Sequence, residues 1–142
     1  GEEPKKKPAA PQIKTIGILS IPKINLKVGI GEGISSYTMN YTVAHFAGTA
    51  LPGQKGNCSI AGHRNYISGE FFRHIDKLKT GDEIIIETSG NTYRYTVTES
   101  LVVEPEETWV LNPTKDAQIT LVTCTPVNST THRLIIKGSL VE

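Results

Sequence analysis

An all-β barrel or sandwich is predicted for this chain, on three observations. About eight short runs are rich in β-branched and aromatic residues, one segment alone has clear helical spacing, and turn residues punctuate the runs throughout. The 142 residues fit one domain with a single core, and no internal repeat is visible. Residues 1–14 stand apart: charged, proline-rich and without periodicity, they read as a linker or stalk before a domain over residues 15–142.

The elements follow in order. Gly17-Ile-Leu-Ser-Ile21 and Leu26-Lys-Val-Gly-Ile30 are short strand-like runs broken by Pro22 and Gly29. Gly31 to Tyr41 is a Gly/Ser-containing loop with room for a turn of helix near Ser35–Asn40, and Thr42–Ala50 is a short extended piece. Leu51-Pro-Gly turns the chain into a strand over Asn57–His63. Ser68–Leu78 is the one convincing helix, with Ser68 as its cap and Phe71, Ile75 and Leu78 on one side. Glu83–Glu87 and Thr92–Thr98 form a hairpin around Ser89-Gly-Asn. Glu104–Asp116 is a long loop holding Trp109 and two prolines, and loops of that length usually bind something.

The run Gln118–Thr125 ends abruptly at Pro126, and His132–Lys137 is the next strand. Alternation puts Thr120, Val122 and Cys124 on one face and Ile119, Leu121 and Thr123 on the other. Cys124 is then the last side chain of a rigid element beside a loop, a common place for a reactive group. If the two runs pair as a hairpin, Arg133 enters the sheet where Cys124 leaves it.

Nucleophilic cysteine chemistry needs a thiolate, a proton carrier and a group to hold developing negative charge. Four histidines compete as carrier. His63 ends an apolar strand, as Cys124 does; His74 lies in the expected helix; His132 alternates away from Arg133; His45, in a loop, has the position of a pocket-mouth residue. Cys58 precedes His63 by five residues, roughly 16 Å along a strand and on the opposite face. If His63 serves Cys124, Cys58 is too distant for a disulfide and reads as a small buried residue. A disulfide between the two cysteines is the competing reading. The residues alone leave open a core cysteine, a structural histidine and an ordinary strand arginine.

Net charge of +1 and few aromatics exclude a nucleic-acid footprint, and no apolar run approaches a bilayer span. No CxxC, HxH or HExxH spacing exists, so no metal site is expected. The chain begins at Gly1 without Met, so a removed export or anchor segment would leave this reading unchanged.

Thr120-Leu-Val-Thr-Cys124 resembles the TLxTC signature of the sortases, and Ile60-Ala-Gly-His-Arg64 resembles the segment carrying their histidine. Arg133, nine positions after Cys124, stands where the sortase arginine does. His45–Thr49 with Leu51-Pro-Gly, and Lys79–Glu83, are also similar, so the resemblance runs in order from about Ile16 to Val141. It implies a closed eight-stranded β-barrel and a cysteine transpeptidase of Gram-positive surfaces, acting on an LPxTG-type sorting signal and a cell-wall amine, of lipid II or a stem peptide. Cys124 would be nucleophile, His63 general acid and later base, and Arg133 the holder of substrate or oxyanion. Ala61, Thr123, Leu111, Trp109 and His45 would contact the signal peptide, with a packing role for Trp109 as the alternative. No Asp-Pro-aromatic lid tripeptide precedes Ile16, and the short Cys-to-Arg connection looks most like class D, with class E and lid-less class A also open. The resemblance implies no cofactor, and further a monomer on the outer membrane face, held by an N-terminal anchor. Two other classes stay in view: another thiol enzyme, although the Ser-x-Gly-Cys pattern of L,D-transpeptidases is missing, and a non-catalytic surface binding module.

Overall fold

The computed structural model describes residues 12–65 and 70–141. Eight strands close into a barrel: β1 (Thr15–Ile21), β2 (Leu26–Glu32), β3 (Val43–His45), β4 (Gly56–Ala61), β5 (Glu83–Thr88), β6 (Asn91–Val103), β7 (Ala117–Thr125) and β8 (His132–Leu140). Their order around the barrel is β1-β2-β3-β4-β7-β8-β6-β5, closed by β5 against β1. Pairing is antiparallel except for β2 with β3 and β4 with β7. The expected closed eight-stranded barrel is therefore what the chain forms. Closure removes the open edges that eight short strands would otherwise expose.

Alternation fills the interior. Leu19, Ile21, Ile30, Ile60, Ile84, Ile86, Ile119 and Leu121 are fully buried. Tyr95 is also buried, and its hydroxyl accepts a 2.8 Å bond from the Gly53 N–H, which satisfies its polar tip. A smaller cluster of Val103, Val110 and Ile135, with Leu101, Leu111 and Val122 against it, lies on the other face of β6, β7 and β8. This second cluster forms because the 104–116 loop folds down over the sheet, and it shapes the groove described below.

Local structure departs from expectation in three places. The helix expected over Ser68–Leu78 is absent as such: turns cover residues 71–74, and a 3-10 segment runs Ile75–Lys77. Ser68, its expected cap, lies outside the described residues. Burial falls on Phe72, Ile75 and Leu78, every third residue, which is the 3-10 period and not the 3.6 period assumed for Phe71. Strand β6 continues to Val103, past the expected end at Thr98, because a register shift between Val97 and Glu99 absorbs the polar break. The long loop contains a 3-10 turn over Thr108–Leu111. Elsewhere the turn of helix near Ser35 is α1 (Ser36–Tyr41), with the Ser35 hydroxyl accepting from the Thr38 N–H. Of the linker, residues 1–11 lie outside the described residues, and residues 12–14 lead into β1 without regular structure. Among the described residues, no helix is long and apolar enough to cross a membrane.

Candidate active site

Two strand pairings bring the chemistry together. In the antiparallel β7–β8 pair, Cys124 lies directly opposite Arg133. In the parallel β4–β7 pair, Ala61 is in register with Val122. Two further bonds carry that alignment past the end of β4. The Gly62 N–H donates to the Val122 carbonyl at 3.1 Å, and the Thr123 hydroxyl donates to the Gly62 carbonyl at 2.7 Å. His63 thus leaves β4 alongside the end of β7. Gly62 is required in this link because a Cβ there would stand 2.6 Å from the Phe72 ring.

Cys124, His63 and Arg133 line one groove of about 370 Å³. Ile34, Met39, Phe46, Val110, Leu111 and Ile135 give it an apolar lining. A largely apolar cleft with a few polar groups suits an extended peptide whose reacting bond lies at Cys124. Ala61, Thr123 and Leu111 also line this groove. His45 does not. It is buried, with Nδ1 2.7 Å from the Glu32 carboxylate and Nε2 2.8 Å from the Ala50 carbonyl, and the register of β3 with β4 holds it there. Its place is a brace between β2 and the following turn, not the pocket mouth. Trp109 is half exposed outside the groove, its indole N–H directed to Glu107 at 3.5 Å. His74 is exposed, and His132 faces Glu104 at 3.4 Å on the sheet rim.

The site's electrostatics follow from burial and from fixed donors. Partial burial lowers the His63 pKa from its ordinary value. Arg133 Nη1 donates to the Thr130 and His132 carbonyls at 2.9 and 3.0 Å, which fixes the guanidinium plane against the turn. With five N–H donors in that rigid fork, Arg133 can also bind an anion. Both cysteines are free. Cys58 is fully buried, and burial pushes its thiol up to about 12, which makes it inert beside Cys124 at the groove. Among the described residues, no group of three or more His, Cys, Asp and Glu is placed to hold a metal ion.

Two neighbours of His63 escaped the sequence reading. Arg64 is buried. Its Nη1 donates to the Cys124 carbonyl at 3.3 Å and the Thr125 hydroxyl at 2.8 Å, and its Nε donates to the Arg73 carbonyl at 3.2 Å. Asn65 donates to the Ser129 carbonyl and accepts from the Asn128 N–H at 2.6 Å. Together they tie the histidine segment to the end of β7 and to the turn before Arg133. The signal available was an arginine and an asparagine directly after an apolar strand, a position where polar side chains reach back to backbone groups.

Comparison with known proteins places this geometry. A family model described as a sortase domain matches residues 19–141. The structure of a Clostridium perfringens sortase D5 transpeptidase superposes with a TM-score of 0.83 at 41% identity, covering 92% of this chain and 83% of that one. Sortase E1 from Streptomyces coelicolor, solved with a tripeptide in its active site, gives 0.83 at 37% identity over 91% of this chain and 89% of that one. By sequence, sortase A of Listeria monocytogenes is 32% identical over 88% of this chain and 56% of its own length. The full-length S. coelicolor sortase SrtE1 is 40% identical over 88% of this chain and 40% of its own. The chain spans about half the length of these two curated relatives.

Proposed function

The chain belongs to the sortase family, and from that premise we propose that it is a cysteine transpeptidase acting on an LPxTG-type sorting signal. The observation that carries this reading is Cys124 facing Arg133 across β7–β8 in a groove that His63 also lines. The competent state is the thiolate–imidazolium form of the pair, reached by moving the thiol proton to His63. Cys124 Sγ attacks the Thr carbonyl carbon of the Thr–Gly bond. A C–S bond forms, and the electron pair of the C=O collects on oxygen, where Arg133 donors hold the negative charge. Collapse breaks the C–N bond as the imidazolium gives its proton to the departing glycine nitrogen. In the second half, a cell-wall amine attacks the thioester carbonyl, His63 takes the amine proton, and the C–S bond breaks to return the thiolate. Without amine, water takes its place and the product is the free acid.

Ala61, Thr123 and Leu111 are the contacts we assign to the signal peptide. The class D assignment rests on the short Cys-to-Arg connection; relatives of classes D and E have similar identities, and class E is the runner-up. The protein would work at the outer membrane face of a Gram-positive cell, joined to it by an N-terminal anchor, with lipid II or a stem peptide as acceptor. The test is cleavage of a fluorogenic LPxTG peptide with mass-spectrometric trapping of the acyl-enzyme. Cys124→Ala should lose all turnover while its circular dichroism matches the parent; full turnover by that variant would end the proposal. Product that stays free acid at saturating amine would instead favour a thiol peptidase.

A further inference from the structure

Three polar side chains beneath the groove's outer wall take no part in the chemistry above. Asn57 on β4, Thr120 on β7 and Lys137 on β8 occupy adjacent strands, with Thr120 in register with Lys137 and with Ser59. Asn57 and Thr120 are buried, and the Lys137 ammonium is covered enough that burial lowers its pKa from the ordinary value. Lys137 Nζ donates to the Thr120 hydroxyl at 3.2 Å and to the Val110 carbonyl at 3.1 Å. The Thr120 hydroxyl donates to Asn57 Oδ1 at 2.6 Å. Asn57 Nδ2 donates to the Val110 carbonyl at 2.9 Å and the Asn112 carbonyl at 3.1 Å.

The chemistry makes this relay one-directional. An ammonium can only donate, so Thr120 accepts from Lys137 and gives its own hydrogen to Asn57. With the Asn57 carbonyl oxygen turned to Thr120, its amide NH2, which can only donate, faces the loop. The Val110 carbonyl receives two donors, one for each lone pair. The loop over residues 104–116 is thus fastened at Val110 and Asn112, either side of Leu111. Val110 and Leu111 also line the groove, together with Glu104, Pro105, Glu107 and Thr108 of the same loop. Exposed loops of this kind ordinarily sample many conformations, and a peptide that must order one binds more weakly for it.

We propose that Lys137, Thr120 and Asn57 form a latch that holds Val110 and Leu111 in place before substrate arrives, making them positioning residues for the sorting signal. The kinetic consequence rests on the transpeptidase reading; the structural one does not. Two variants test it, Lys137→Met, which removes the terminal donor, and Thr120→Val, which breaks the relay at nearly constant volume. Hydrogen exchange of the amides over residues 108–112 should quicken by about tenfold in each, with the strands of the barrel unchanged. The KM for the signal peptide should rise by about five- to tenfold with kcat within about twofold. The rate of Cys124 alkylation by iodoacetamide should stay within about twofold of the parent. Unchanged exchange over the loop overturns the latch. So does faster exchange across the whole barrel, or an alkylation rate that falls together with kcat, since either marks a general structural role. If the parent protein cleaves no sorting signal, the transpeptidase reading fails by itself and the exchange measurement still decides the latch.

Discussion

His63 carries the proton in the proposed reaction, and its surroundings fix where in pH that work can begin. Partial burial disfavours the imidazolium and lowers its pKa from the ordinary value near 6.5. The Cys124–His63 pair is inactive when it holds two protons, as thiol and imidazolium, and competent when it holds one. That first step of the pair can lie no higher in pH than the histidine's own pKa, so the acidic limb of kcat/KM should have its midpoint below pH 6.5. Rates of peptide cleavage from pH 4 to 9 check this; a midpoint above 7 would contradict the environment seen here. Cys124 with its opposite neighbour Arg133 was legible from local sequence, because strand alternation and a short connection set both positions. His45 was not. A histidine in a Gly/Thr-rich turn reads as a loop residue, and only the pairing of β3 with β2 and β4 shows that its ring is enclosed between Glu32 and Ala50.

Strand β7 and the segment after β4 make the site as a unit. Arg64 joins them through its bonds to the Cys124 carbonyl and the Thr125 hydroxyl, and ties both to the 70–78 segment through the Arg73 carbonyl and Asp76. Asp76 is half exposed, so the ion pair adds little; the donated bonds to half-buried acceptors carry the weight. Arg64→Met should lower stability by about 2 kcal/mol, read as a lower urea midpoint at unchanged slope. A loss below about 0.5 kcal/mol would mean that these bonds are exchanged for water at no cost. The expected helix after residue 68 failed at this same scale. Phe71, Ile75 and Leu78 do match a 3.6-residue period, yet Gly62 leaves a space that draws Phe72 inward, and packing then selects the three-residue period.

Barrel closure makes the interior reachable only by opening the whole sheet. Cys58 reports on this, because it is fully buried in the main core and its thiol is held at about 12. Native protein treated with iodoacetamide should gain one label, at Cys124. Cys58 should react only at the rate of global unfolding, rising with denaturant as the fluorescence transition does. Ready labelling of both thiols in native buffer would show that the barrel breathes locally at β4. The same enclosure rules out the disulfide weighed at the outset: Cys58 faces the core while Cys124 lies at the groove, and both are free.

Residue order alone settled what nearest-neighbour physics controls. That includes the β-rich class, the alternating faces of β7, the place of Cys124 at a strand end with Arg133 re-entering beside it, and the histidine segment that resembles its family's. The fold had to supply whatever depends on partners distant in sequence. The parallel register of β4 with β7 joins residues about 60 positions apart and brings His63 to the groove that Cys124 lines. The extension of β6 through its bulge, the brace around His45, the anchoring of Arg64, and the relay from Lys137 to the groove wall all arise the same way. Each is a polar or packing contact whose two ends carry no shared periodicity, so nothing in either segment announces the other until closure of the barrel brings them within bonding distance.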